Sequence, residues 1–86
     1  MDKLLPFQEE ILVSLGIATN MSLTGRVTFN GLYVKTSVEV KKIKNSTKKV
    51  KKAVKQLVAL GYILRKPSGD MTYSLSRIGL NYLLNL

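Results

Sequence analysis

The chain has 86 residues, of which 45% are hydrophobic, and its 14 lysines and arginines against five acids leave a net charge of +9. With no cysteine and no histidine, disulfides, thiolate–metal sites and cysteine nucleophiles are excluded and the commonest general base is missing, so an enzyme, a metal site or a cofactor is not expected. No apolar run approaches the roughly 18 residues that span a bilayer and the start lacks a basic-then-apolar leader, so a single soluble, cytoplasmic domain over residues 1–86 is expected.

The first predicted element is a helix. Pro6 suits a first turn, and Gln8, Glu9 and Glu10 favour its positive end. Phe7, Ile11, Leu12 and Leu15 follow helical spacing, and the helix ends at Gly16 or runs on through Ile17 and Ala18. Asn20 to Gly25 is small and polar and reads as a loop. Val27 and Phe29 before Asn30-Gly31, with Leu32 and Val34 after it, predict a β-hairpin, because Asn-Gly supplies the positive φ that a tight turn needs. The plainer alternative is a surface loop with one short strand. Thr36-x-x-Glu39 reads as a capping box for a short helix whose apolar residues are Val38, Val40 and Ile43.

Asn45-Ser46 marks a turn and the cap of the next helix. Thr47 to Leu60 is the clearest helix in the chain. Val50, Ala53, Val54, Leu57, Val58 and Leu60 form one broad face, and Lys48, Lys51, Lys52 and Lys55 fall on the opposite side at about 100° per residue. Gly61 is the expected left-handed cap. Tyr62 to Lys66 reads as a strand, Pro67-Ser68-Gly69-Asp70 as a turn, and Met71, Tyr73 and Leu75, alternating with Thr72 and Ser74, as a returning strand. Ser76 then caps a last helix, over residues 77–86, with Ile78, Tyr82, Leu83 and Leu86 on one side and Leu80 and Leu84 on another. A terminal helix that is apolar on two sides needs two partners. Small domains are marginal alone, so a homodimer through this helix is expected.

Charge is distributed very unevenly. Residues 1–34 carry a net −1, residues 35–66 a net +10 and residues 67–86 a net of zero. Eight lysines (Lys41, Lys42, Lys44, Lys48, Lys49, Lys51, Lys52 and Lys55) fall in one stretch with no acid among them. Such confinement costs stability through self-repulsion, and a polyanion removes that cost. Nucleic acid is the commonest such partner, because neutralised phosphates release condensed counterions.

The order helix, β segment, short helix, basic helix, β-hairpin, helix resembles the winged helix-turn-helix fold, an α+β class. Ser46-x-x-x-Val50-x-x-Ala53-Val54-x-x-Leu57-x-x-Leu60-Gly61-Tyr62-Ile63-x-Arg65 looks like the recognition helix and first wing strand of many small regulators. Tyr73-x-Leu75-Ser76-x-x-Gly79-x-x-Tyr82-Leu83 is similar to the family's closing Leu-Thr-x-x-Gly pattern, with Ser for Thr. The match covers roughly residues 36–84, and regulators of the MarR, PadR and ArsR types, as found in archaea and their viruses, are the nearest in kind. Glu39-Val40-Lys41 stands where such proteins usually carry a Leu-Ala pair, and the metal ligands of the ArsR type are absent.

The resemblance implies a double-stranded DNA-binding transcriptional regulator. Helix 47–60 would enter the major groove, with hairpin 62–75 as the wing. The residues expected to touch DNA are Lys41, Lys42 and Lys44 on flanking phosphates, then Asn45, Ser46, Thr47, Lys48, Lys49, Lys51, Lys52 and Lys55 from the basic helix. Arg65, Lys66, Ser68 and Gly69 would contact it from the wing. Lysines suit phosphates as mobile point charges and lack the planar fork with which Arg reads guanine, so affinity should exceed sequence discrimination. Two alternatives remain: an RNA-binding winged helix, and a protein-interaction module that meets an acidic partner. Tyr62 and Tyr73 are the aromatics expected near the basic region, and alternation turns both toward the core, which argues against single-strand stacking.

Overall fold

Pro6 opens the first helix, α1 (Pro6–Ala18), and Gln8 reaches back to accept the amide of Leu5 at 3.1 Å. The computed structural model describes residues 3–86, without the side chain of Ser68. Along the described residues α1 is followed by β1 (Val27–Thr28), α2 (Phe29–Tyr33), α3 (Val38–Lys42), α4 (Ser46–Ala59), β2 (Ile63–Ser68), β3 (Asp70–Leu75) and α5 (Arg77–Leu84). This is a small α+β fold of five helices and one antiparallel sheet. The sheet order is β1-β3-β2, with Val27 opposite Tyr73 and Arg65 also opposite Tyr73.

One core serves all the elements. Ile11, Leu12 and Leu15 of α1, Leu32 of α2, Val40 of α3, Val50 and Leu57 of α4, and Ile63 and Leu75 of the sheet are fully or almost fully buried in it. The helical periods of α1 and α4 therefore reach the interior as expected. Gly16 does not end α1, which continues through Ile17 to Ala18 before Thr19 closes it.

Several expectations need correction. The Asn30-Gly31 hairpin does not form. Thr28 accepts the amide of Gly31 through its hydroxyl at 3.2 Å and so caps α2, which runs through both residues. Phe29 and Tyr33, four residues apart, stack at 5.9 Å between centroids, the spacing at which side chains on a helix are neighbours. The β segment shrinks to Val27-Thr28, whose partner is β3.

The capping box expected at Thr36 does not form, and the cap falls one residue later. Ser37 caps α3 by accepting the amide of Val40 at 3.3 Å, and its hydroxyl donates to Glu10 at 2.5 Å. Thr36 is buried and donates instead to the carbonyl of Tyr33 at 2.6 Å.

The last helix also faces differently from the expectation. Gly79, Tyr82 and Leu83 are its buried residues, while Ile78, Leu84 and Leu86 are exposed. The turn expected over residues 67–70 narrows to Gly69 alone, because β2 runs through Pro67 to Ser68 and β3 starts at Asp70. The other caps match. Gly61 has φ +89° after α4 and Gly69 has φ +74° at the hairpin tip. Ser76 caps α5 by accepting the amide of Gly79 at 3.0 Å. Pro67 lies within β2, which is an edge strand, where a missing amide donor is tolerated.

Candidate nucleic-acid interface

The basic helix α4 is divided cleanly by its own periodicity. Val50, Ala53, Val54 and Leu57 are buried, and Lys48, Lys49, Lys51, Lys52 and Lys55 are exposed. At about 100° per residue, Lys48, Lys51, Lys52 and Lys55 span an arc of roughly 100° centred opposite the buried one. Lys49 and Lys51 lie on its two shoulders. Lys49 borders a groove shared with Phe7, Ile43, Lys52, Ala53 and Gln56. Lys51 sits over the ring of Phe29, with Nζ 5.3 Å from the centroid, a cation–π distance. Val58 is half-buried and Leu60 is exposed, so the broad apolar face expected for this helix narrows at its end.

The turn into α4 is Ile43-Lys44-Asn45. Asn45 adopts the left-handed conformation (φ 59°, ψ 39°) and its side chain makes no capping bond. Ser46 is the first helical residue, and its hydroxyl shares a 2.6 Å hydrogen bond with the phenol of Tyr33. Bonds from Ser46 and then Thr47, which favour the phenolate, hold the Tyr33 hydroxyl below the ordinary phenol value; the nearby Lys41 charge acts the same way. Lys41 does more than decorate the surface. Its ammonium donates to the carbonyls of Val34 at 3.0 Å and Thr36 at 3.1 Å, clasping the turn after α2. Lys42, Lys44, Asn45 and Thr47 are exposed.

The hairpin contributes Arg65, Lys66 and Gly69, all exposed. The side chain of Ser68 lies outside the described residues. One hollow connects the hairpin to α4: Asp70 and Met71 line it together with Lys51, Thr28, Phe29 and Asn30. The fold thus brings the tip of the β2–β3 hairpin beside one shoulder of the lysine face. Tyr62 is buried and Tyr73 half-buried, as expected, with Tyr62 edge-on to Tyr82 at 5.5 Å.

Other aromatics also touch the basic helix: Phe7 lines the groove beside Lys49 and Lys52, Phe29 lies under Lys51 and Tyr33 bonds Ser46. Phe29 and Tyr33 were hidden by the hairpin expected for their segment. Their spacing of four behind a Thr28-x-x-Gly31 start is the signal that could have found them. Lys35, also exposed, adds charge in the turn that Lys41 clasps. Among the described residues there is no cluster of three or more acids that could hold a metal ion, and no helix long and apolar enough to cross a membrane.

No protein-family model matches the chain, and neither does any curated protein or solved structure.

Proposed function

We propose that this protein binds double-stranded DNA as a winged helix-turn-helix regulator, with α4 in the major groove and the β2–β3 hairpin as its wing. The observation that carries the reading is the uncovered lysine face of α4, with Lys48, Lys51, Lys52 and Lys55 exposed above a buried apolar back. From Lys48 to Lys55 the row runs about 10 Å along the helix, and the major groove, about 12 Å wide, admits a helix. Lysines placed this way neutralise phosphates on both sides of the groove. Asn45, Ser46 and Thr47 lead the helix inward, Lys42 and Lys44 meet flanking phosphates, and Arg65 and Lys66 act from the wing. Lys41 donates to two backbone carbonyls already, so its part is to fix the α2–α3 turn as much as to touch DNA.

Two copies would join through α5. Ile78, Leu84 and Leu86 are 55%, 64% and 65% exposed, an apolar surface that a second copy covers in this reading. A dimer would present two basic helices to one duplex.

Fluorescence anisotropy with a random-sequence duplex tests the proposal. If about six phosphates are neutralised per chain, log K falls against log salt with a slope of roughly −5. Lys51→Ala and Lys52→Ala should each weaken binding to all duplexes alike and flatten that slope by about one unit. An affinity that stays constant between about 50 and 200 mM salt would overturn the reading. Structured RNA winning in direct competition would redirect it to RNA.

A further inference from the structure

We propose that the hollow between α2 and the hairpin tip is a recognition site for one unstacked guanine nucleotide. It has a volume of about 370 Å³ and is lined by Thr28, Phe29, Asn30, Lys51, Asp70 and Met71. That is the lower end of the range in which small ligands are held, and it suits a single base with its sugar. The lining joins the three things such a ligand needs. Phe29 offers a half-buried ring, already approached by a cation at 5.3 Å; a base has a π-face that can take the place of that ammonium. Lys51, once lifted from the ring, is free to meet the ligand's phosphate. Asn30 and Asp70 are exposed at the rim and bring hydrogen-bonding groups of opposite kind.

Asp70 selects the base. It is the one acidic side chain after Glu39, and it lines the same hollow as Lys51, where an acid weakens plain phosphate binding. A carboxylate accepts and does not donate. Guanine presents two adjacent donors on its pairing edge, the N1 hydrogen and the exocyclic amine, whereas adenine and cytosine each present one donor beside an acceptor. The Asn30 amide can donate to the guanine O6. The site goes beyond the duplex reading, because it takes a base that is not paired, either in a free nucleotide or extruded from a strand.

The test titrates isotopically labelled protein with GMP, AMP and inorganic phosphate, following backbone amides by NMR. A parallel arm measures affinity for a duplex with one bulged guanosine, one with a bulged adenosine and one fully paired. GMP should move the amides of Asn30, Asp70 and Met71 and bind about tenfold tighter than AMP. Asp70→Asn should remove that preference, and Asn30→Ala should reduce it, with the fold intact by circular dichroism. Preference for GMP alone identifies a free nucleotide as the ligand; preference for the bulged guanosine identifies a strand.

Equal shifts with GMP, AMP and phosphate, spread along α4, together with no preference between the bulged duplexes, would overturn the site. Binding of the fully paired duplex is read separately, so failure of this site and failure of the duplex reading are distinguishable.

Discussion

Gly79 is where the closing helix touches the turn between α4 and β2. A Cβ there would run into the backbone carbonyl oxygen of Tyr62. The same carbonyl accepts the amide of Ser76 at 3.1 Å, and the Ser76 hydroxyl donates to the carbonyl of Gly61 at 2.5 Å while accepting the amide of Gly79. The Ser76-x-x-Gly79 spacing thus has a physical basis: a cap that bonds both ways, and a helix pressed against backbone that cannot move aside. Gly79→Ala should lose about 3 kcal/mol, or roughly 15 °C in Tm, in a thermal melt. Asn45 poses the opposite case, because its side chain makes no cap bond and its φ of 59° is the unusual feature. Asn45→Ala should lose about 1 kcal/mol from the left-handed strain. Asn45→Gly should stay within about 0.5 kcal/mol of the native protein, since relief of strain and added freedom of the unfolded chain offset each other. Equal losses for both substitutions would mean that the Asn45 side chain itself matters.

The elements that were legible from the residues are those whose signals are local. The face of α4, the Gly61 cap, the hairpin closed at Gly69 and the Ser76 cap each need only a few neighbouring residues to declare them. The failures came where a distant partner decides. Val27-Thr28 pairs with Tyr73 and Thr72 of β3, which lie some 45 residues further on, so the adjacent Asn30-Gly31 was free to become helix. Ser37 caps α3 with Glu10 of α1 on its hydroxyl, and no local pattern announces that bond. The candidate site divides the same way: its lysines were visible, but the placement of Phe29 and Tyr33 against α4 was not. The tie between α1 and α5 is equally non-local. Tyr82 donates its phenol to Glu9 at 2.7 Å and accepts the amide of Leu4 at 3.2 Å. The bond to the Glu9 carboxylate raises the Tyr82 hydroxyl above the ordinary value of about 10. A raised folded value means the bond's stabilisation is fully present below about pH 10 and is lost as pH climbs through the folded value. Tyr33, lowered instead, gains stability over the same alkaline range, and lysines also titrate there, so the native protein alone is no readout. The difference in Tm between native protein and Tyr82→Phe isolates the bond: it should be constant from neutral pH to about 10 and shrink above it. A difference independent of pH would assign the effect of Phe to packing.

At the scale of the whole molecule, charge and fold are set against each other. Of five acids, Glu9 and Glu10 on α1 bond Tyr82 and Ser37 rather than lysines. Along α4 the exposed lysines stand in like-charged neighbour pairs: Lys48 with Lys52 and Lys51 with Lys55 four apart, Lys48 with Lys51, Lys49 with Lys52 and Lys52 with Lys55 three apart. Each such pair costs a few tenths of a kcal/mol at low salt, and the free protein holds its binding face at the expense of its own stability. Salt screens that repulsion within a Debye length of about 10 Å at 0.1 M. It also weakens phosphate contacts by removing the gain from counterion release. The two effects oppose, and this gives a signature that neither a neutral binding protein nor an inert basic surface shares. Tm of the free protein should rise by several degrees between about 20 and 200 mM salt, while the extra Tm conferred by a saturating duplex at low salt should fall over the same range. Replacing Lys48 and Lys52 together with Gln removes every one of these pairs except Lys51 with Lys55, so that variant should melt higher than the native protein at low salt, respond less to added salt and gain less from the duplex. If the free protein's Tm is indifferent to salt and the double variant melts no higher, the lysines repel one another too weakly to need a polyanion, and the physical argument for nucleic acid as the partner falls with them.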